Sequence, residues 1–151
     1  MSESGIPAGF AVLRLGGDFV KANGPLYESF EGEAYRLGFR VEKRHCNTMR
    51  ICHGGMMATF CDMLLPITAI RGVASLGDRF LPTVSLDIDY LAPAPLGAWV
   101  QGEGQVLRTT RSLVFAQGLV TADGEPVARV SGVFKIGAAV GPAVRGAGDA
   151  G

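Results

Sequence analysis

The hydrophobic pattern of this chain changes period along its length. From Ala34 the apolar positions recur at every second residue: Tyr35, Leu37, Phe39 and Val41 alternate with Arg36, Gly38 and Arg40. Such alternation predicts a strand with one face buried. After a polar loop through Asn47, the segment from about Gly54 to Ala74 takes on helical texture instead. Period two returns at Val84, Leu86, Ile88 and Tyr90, set against Thr83, Ser85, Asp87 and Asp89. Pro93-Ala94-Pro95-Leu96-Gly97 breaks that strand. A further strand is predicted at 98–107. Two more, at 113–121 and 126–136, flank Ala122-Asp123-Gly124-Glu125, whose Asp-Gly signals a hairpin.

The two ends read differently. Phe10, Val12, Leu13, Leu15, Phe19 and Val20 mix with Gly16-Gly17, which predicts a short, imperfect helix ended by Gly24-Pro25. Beyond Gly137 the chain is mostly Gly, Ala, Val and Pro, the composition of a frayed tail. The expected layout is an N-terminal segment with a short helix at 1–24, one domain at 25–136 and a flexible tail at 137–151. Its order is strand, long helix, then four strands on short turns. A meander of that kind covers its apolar face by wrapping the twisted sheet around the one long helix, an α+β fold.

On a helical wheel, Met56, Phe60, Met63, Leu64 and Ile67 form an apolar stripe. The other side carries Gly55, Ala58, Thr59, Asp62, Pro66 and Ala69, with Asp62 the only charge before Arg71. A solvated helix face is rich in Lys, Glu and Arg. Small, uncharged residues there predict a helix covered on both sides, by its own sheet and by a second copy of the chain. Pro66, one turn beyond Asp62, is expected to kink it.

Composition narrows the class. With 151 residues, 48% hydrophobic and 19% charged, the chain suits one compact domain. A formal net charge of zero offers no basic field for nucleic acid or an anionic membrane, and little self-repulsion against self-association. No apolar stretch reaches the ~18 residues that suggest a membrane span. Met1-Ser2-Glu3-Ser4 lacks the basic start of a secretory signal, and the cysteines number three. Free thiols in a reducing cytoplasm are the expectation.

The chemistry concentrates in residues 45–62, which hold both histidines and all three cysteines. A metal reading would use Cys46, Cys52, His53 and Cys61, with His45. The chain has no Cys-x2-Cys or His-x3-His pair, so no metal is expected and the cysteines read as small buried hydrophobes. An acyl-transfer reading uses other atoms. Gly54-Gly55 lets a ligand approach the first N–H groups of a helix, which lack internal acceptors and stabilise an oxyanion. Asn47 supplies an amide donor. A sheltered Asp62 suits a general base or nucleophile. Gly54 and Asp62 lie eight residues apart, roughly 12 Å along a helix axis. One thioester cannot touch both unless the carboxylate comes from another chain.

The string His45-x-Asn47-x5-His53-Gly54-Gly55, with Asp62 nine residues after His53, resembles hotdog-fold acyl-CoA thioesterases of the phenylacetate-degradation (PaaI-like) family. The resemblance covers roughly residues 24–136. It includes Gly24-Pro25-Leu26-Tyr27, Thr83 through Pro93, and Asp123-Gly124 on to Lys135. It implies hydrolysis of a small or aromatic acyl-CoA without a cofactor, at the interface of a homodimer that assembles into a homotetramer. Asp62 matches the acid that activates water or attacks the thioester. The Gly54 N–H matches the oxyanion donor, Asn47 and His53 match residues that orient the thioester, and Thr83 matches a hydroxyl that positions water. Gly55 and Arg50 fall beside the substrate, although glycine is common where Arg50 stands. Arg71, Arg79, Arg108, Arg111 and Lys135 are candidates for the CoA phosphates. Two rival classes stay open: a hotdog protein that binds acyl-CoA without hydrolysing it, and a hotdog dehydratase, which pairs a histidine with a carboxylate.

Overall fold

The structure is a computed structural model, and it describes residues 5–32 and 34–140. The chain runs β1 (Ala11–Val12), α1 (Gly17–Asn23), β2 (Tyr27–Glu31), β3 (Ala34–Arg40), α2 (Gly54–Gly72), β4 (Thr83–Tyr90), β5 (Trp99–Thr109), β6 (Leu113–Ala122) and β7 (Glu125–Lys135). The strands form one sheet in the order β1-β2-β3-β5-β6-β7-β4, and every pair is antiparallel. Helix α2 packs on one face of that sheet. Phe39, Phe60, Leu64, Leu65, Val100, Val114, Val120 and Phe134 close the core between them. A long helix wrapped by an antiparallel sheet is the hotdog fold.

Glycines set how closely the helix lies on the sheet. A Cβ at Gly102 would come within 2.5 Å of Leu64 and 3.2 Å of Phe60. One at Gly104 would meet Thr68 at 2.5 Å, and one at Gly118 would press on Leu64 and Leu65. The inward side of β5 and β6 is thus a shallow trough cut to the bulk of α2. Pro66 lies within this helix, which runs unbroken to Gly72. Pro66 therefore does not end the helix. What Pro66 removes is the N–H that would bond the carbonyl of Asp62.

The five strands expected from the sequence are present as β3 to β7. Asp123 and Gly124 both have positive φ, 46° and 88°, and join Ala122 to Glu125 in a two-residue turn. That is the backbone a tight hairpin needs. Strands β1 and β2 carry no such pattern. In β2 the buried position is Ser29, while Phe30 is exposed. Pairing with β3, from Tyr27 opposite Gly38 to Glu31 opposite Ala34, makes it a strand.

Strand β4 pairs only with β7 and ends the sheet. Its apolar set is poorly covered: Leu86 and Ile88 are half-buried, and Val84 and Tyr90 are 62% and 55% exposed. Residues 137–140, the start of the expected tail, hydrogen-bond back to 78–80: Gly137 N–H to Phe80 O at 2.8 Å, Phe80 N–H to Ala138 O at 3.1 Å and Val140 N–H to Asp78 O at 2.6 Å. The rest of that tail, 141–151, lies outside the described residues. Among the described residues no helix is long and apolar enough to cross a membrane.

The trough is testable. Gly102→Val should destabilise the fold by about 1–3 kcal/mol through overpacking against Leu64 and Phe60. Urea unfolding should show a lower midpoint at unchanged slope.

Candidate active site

The site grows from the loop that leads into α2. Cys46 and Cys52 face each other across a short antiparallel bridge, held by Asn47 N–H to Ile51 O at 3.0 Å and His53 N–H to His45 O at 2.8 Å. The bridge joins the loop that carries Asn47 to the residue before the helix, His53. Asn47 Oδ1 accepts from the Met49 N–H at 3.0 Å, which leaves the Nδ2 amide as the donor end. Arg50, at the loop tip, has a φ of 57°. A glycine adopts that left-handed conformation freely and an arginine does not. The loop therefore keeps the conformation of a glycine-bearing one, and the exposed Arg50 side chain is displayed beside it.

His53 is the N-cap of α2. Its Nδ1 accepts from the Gly55 N–H at 2.8 Å. Gly54 opens the helix, so its N–H has no acceptor within it. His45 stands apart from this chemistry. It is buried, with Nδ1 accepting from the Glu42 N–H at 3.0 Å and Nε2 2.6 Å from Asn23 O. It ties the loop to the end of α1.

Two turns along the helix, the half-buried Asp62 accepts a 2.5 Å hydrogen bond at Oδ1 from Thr83 Oγ1. The second carboxylate oxygen is left for other partners. A cavity of about 640 Å³ opens here. Asp62 and Thr83 stand in its wall beside Leu15, Met63, Ile67, Ile70, Phe80 and Leu81. Asp62 is two residues from both Phe60 and Leu64, hence about 160° around the helix from each. It occupies the side of the helix turned away from Phe60 and Leu64.

The residues singled out by sequence thus fall into two separate groups. His53, Gly54 and Gly55 stand at the helix start with Asn47 on the loop that leads into it, and Asp62 joins Thr83 farther along. The basic residues are scattered. Arg71, at the other end of α2, is held bidentately by Glu28 at 2.9 and 3.1 Å. Arg108 and Arg111 are exposed at the β5–β6 turn, and Arg79 bonds Gly137 O.

The cysteines take a structural part. Burial, and then the nearby Cys46, pushes the Cys52 thiol up to about 12. Burial, and then Asp62 and Cys52, does the same to Cys61. Both stay neutral thiols rather than nucleophiles near pH 7. Among the described residues no group of three or more His, Cys, Asp or Glu side chains is placed to hold a metal ion.

One residue of the site has no counterpart in the spacing arguments. Tyr90, at the end of β4, donates from its phenol to the Gly54 carbonyl at 2.7 Å. By sequence it is the last apolar position of an alternating strand, and nothing in that pattern marks it as a partner of the helix start.

Residues 49–128 match the sequence profile of the thioesterase superfamily. The chain belongs to the thioesterase superfamily. Its reaction class is therefore thioester hydrolysis. Among relatives of this superfamily member, the candidate esterase PA0474 of Pseudomonas aeruginosa is 26% identical over 87% of this chain and 97% of its own length. Acyl-coenzyme A thioesterase 13 of mouse is 30% identical, over 51% of this chain and 53% of its own. Among solved structures, the PaaI protein of the Escherichia coli phenylacetic acid degradation operon superposes with a TM-score of 0.69 at 18% identity, covering 82% of this chain and 87% of that one.

The strained loop tip gives a direct test. Arg50→Gly should raise stability by about 1 kcal/mol, because the left-handed conformation is costly only for the arginine. Thermal unfolding should shift upward by roughly 2–4 °C.

Proposed function

We propose that this thioesterase hydrolyses acyl-CoA, and that each active site is composed across a homodimer. The observation that carries the proposal is the separation of the two half-sites on one rigid helix. Gly54 and Asp62 lie roughly 12 Å apart along its axis, too far for one thioester group to meet both. The side of α2 that bears them, from Gly55 through Thr59 to Asp62, is left partly open by its own chain. A second α2, antiparallel to the first, would set the partner's Asp62 opposite Gly54, and the exposed face of β4 supports such an approach.

In this reading the Gly54 N–H of one subunit holds the thioester carbonyl oxygen, with the Asn47 amide and His53 orienting it. The carboxylate of the partner's Asp62, held at one oxygen by Thr83, removes a proton from water. That water attacks the carbonyl carbon, and the oxyanion forms against the first turn of α2, where unpaired N–H groups stabilise it. Collapse breaks the C–S bond, and the thiolate of CoA takes the proton back from the partner's Asp62. The products are a carboxylic acid and free CoA, and no cofactor enters the balance.

The acyl group would occupy the apolar cavity beside Asp62. Its ~640 Å³ has room for an aromatic ring or a medium-length chain. Acyl-CoA as the substrate class draws support from the activity named for the mouse relative, and the PaaI likeness supports an aromatic acyl group. Arg50 is suited to the CoA moiety by its display at the loop tip, and Arg108 and Arg111 by their exposure. Arg71, engaged by Glu28, is less available. The free thiols fit a reducing compartment such as the cytoplasm. Pairing of two dimers into a tetramer would use surface beyond the composite sites.

Asp62→Asn should lower kcat at least ~10²-fold, the usual minimum for losing a general base, while leaving acyl-CoA binding near the wild-type level. Steady-state kinetics with a thiol-trapping reagent reads the first, and calorimetry with a non-hydrolysable analogue reads the second. A variant at wild-type rate would remove Asp62 from the mechanism.

Composition across the dimer has its own test. Asn47→Ala and Asp62→Asn proteins, each nearly inactive, are mixed and allowed to exchange subunits. Random pairing makes half of the dimers mixed, and each mixed dimer holds one intact site of its two, so about a quarter of wild-type activity should return. Exchange proven by mass spectrometry with no regained activity would show that both residues serve a site within one chain.

A further inference from the structure

Tyr90 donates to the carbonyl of Gly54, and the same peptide unit continues as the N–H of Gly55. That N–H donates to His53 Nδ1 at 2.8 Å. The three groups therefore form one directed chain, from phenol O–H to peptide carbonyl and from peptide N–H to imidazole nitrogen. A ring nitrogen that accepts a hydrogen bond carries no proton, so the neutral His53 ring must hold its proton on Nε2. His53 is exposed, and its Nε2–H is thus offered as a donor at the start of α2.

We propose that Tyr90 is a positioning residue for thioester hydrolysis: through the Gly54–Gly55 peptide it fixes the tautomer and orientation of His53 and steadies the Gly54 N–H. The inference rests on the reading of Gly54 and His53 as the carbonyl-binding side of the site.

Several features favour this role over a purely structural one. Helical geometry already provides the Gly54 carbonyl with the N–H of residue 58, so the phenol is not needed to satisfy it. Tyr90 is 55% exposed, so it adds little to the core. The phenol end of its ring stands over Gly54, where an added Cβ would be 3.5 Å from the phenol oxygen. A hydrogen bond to a peptide oxygen makes the N–H of that peptide a better donor, which strengthens the hold on Nδ1. Burial, and then the thiols of Cys61 and Cys52, raises the phenol's pKa, so it stays a donor over the working range. Tyr90 also lies on the edge strand β4, so it couples the sheet edge to the first turn of the helix.

The test is Tyr90→Phe, which keeps the ring and removes the one donor. Hydrolysis of acyl-CoA should show kcat lowered about tenfold, the worth of one well-placed hydrogen bond, with KM within about twofold. In this role Tyr90 acts through the peptide rather than on the substrate, so binding should be spared. The second readout is the nitrogen spectrum of the two imidazoles in the ligand-free, labelled protein. Wild-type His53 should show a protonated Nε2 and a bare Nδ1, and Tyr90→Phe should shift it toward a tautomer mixture. His45 has its own partners on both nitrogens and serves as the internal control. A folded Tyr90→Phe protein with wild-type kcat overturns the proposal, and so does one whose His53 nitrogens are unchanged. The imidazole readout needs no substrate, so it stands or falls apart from the acyl-CoA reading, which Asp62→Asn tests.

Discussion

Helix α2 can lie against its sheet only because Gly102, Gly104 and Gly118 stand where Phe60, Leu64, Leu65 and Thr68 press down. A side chain at any of the three would lift the helix or turn it about its axis. Close packing fixes both the height and the roll of the helix, since interdigitated cores have few alternative arrangements. The roll decides what faces outward. With Phe60 and Leu64 locked inward, Asp62 is carried to the far side, where it meets Thr83 and the cavity. The site's geometry is in this sense a consequence of three missing Cβ atoms.

The same rigidity underlies the proposal of a site shared between two chains. An α-helix does not stretch, so the spacing of Gly54 and Asp62 cannot close around a single carbonyl group. A flexible loop could have brought an acid to the helix start, but this chain places its acid on the helix itself. Completion by a second copy is what the proposed composite site would supply. Strand β4 reads similarly. Its pattern is that of a half-buried strand, yet its own chain covers only Leu86 and Ile88, leaving Val84 and Tyr90 open. An edge strand with exposed apolar positions is one that soluble proteins normally cover.

Around the helix start, the residues divide into those that shape the loop and those that present groups. His45 and the Cys46–Cys52 bridge shape it, with hydrogen-bonding capacity and bulk turned to their own surroundings. Asn47, His53 and Gly54 present a donor amide, a ring N–H and a backbone N–H. His53 belongs to both sets, since the nitrogen that caps the helix determines what the other nitrogen offers.

The sequence by itself determined the elements whose residues carry a local pattern. Period two marked β3 and β4, breaks and turn signals bounded β5 to β7 with Asp123-Gly124 at the last hairpin, and an uncharged helical stretch with one acid marked α2. Fixed spacing also placed Gly54 and Asp62 relative to each other, because a helix converts sequence separation into distance. Only the tertiary structure decided the rest. Strands β1 and β2 exist through pairing, and Ser29 buried beside an exposed Phe30 reverses the pattern a reader would seek. The reach of Arg71 was decided by Glu28, forty-three residues away in sequence. The contacts of Thr83 with Asp62 and of Tyr90 with Gly54 arise where the edge strand β4 passes the helix. Such contacts join residues twenty-one and thirty-six positions apart, and no local periodicity encodes them. They follow from the sheet's curvature around α2, which is a property of the packed whole.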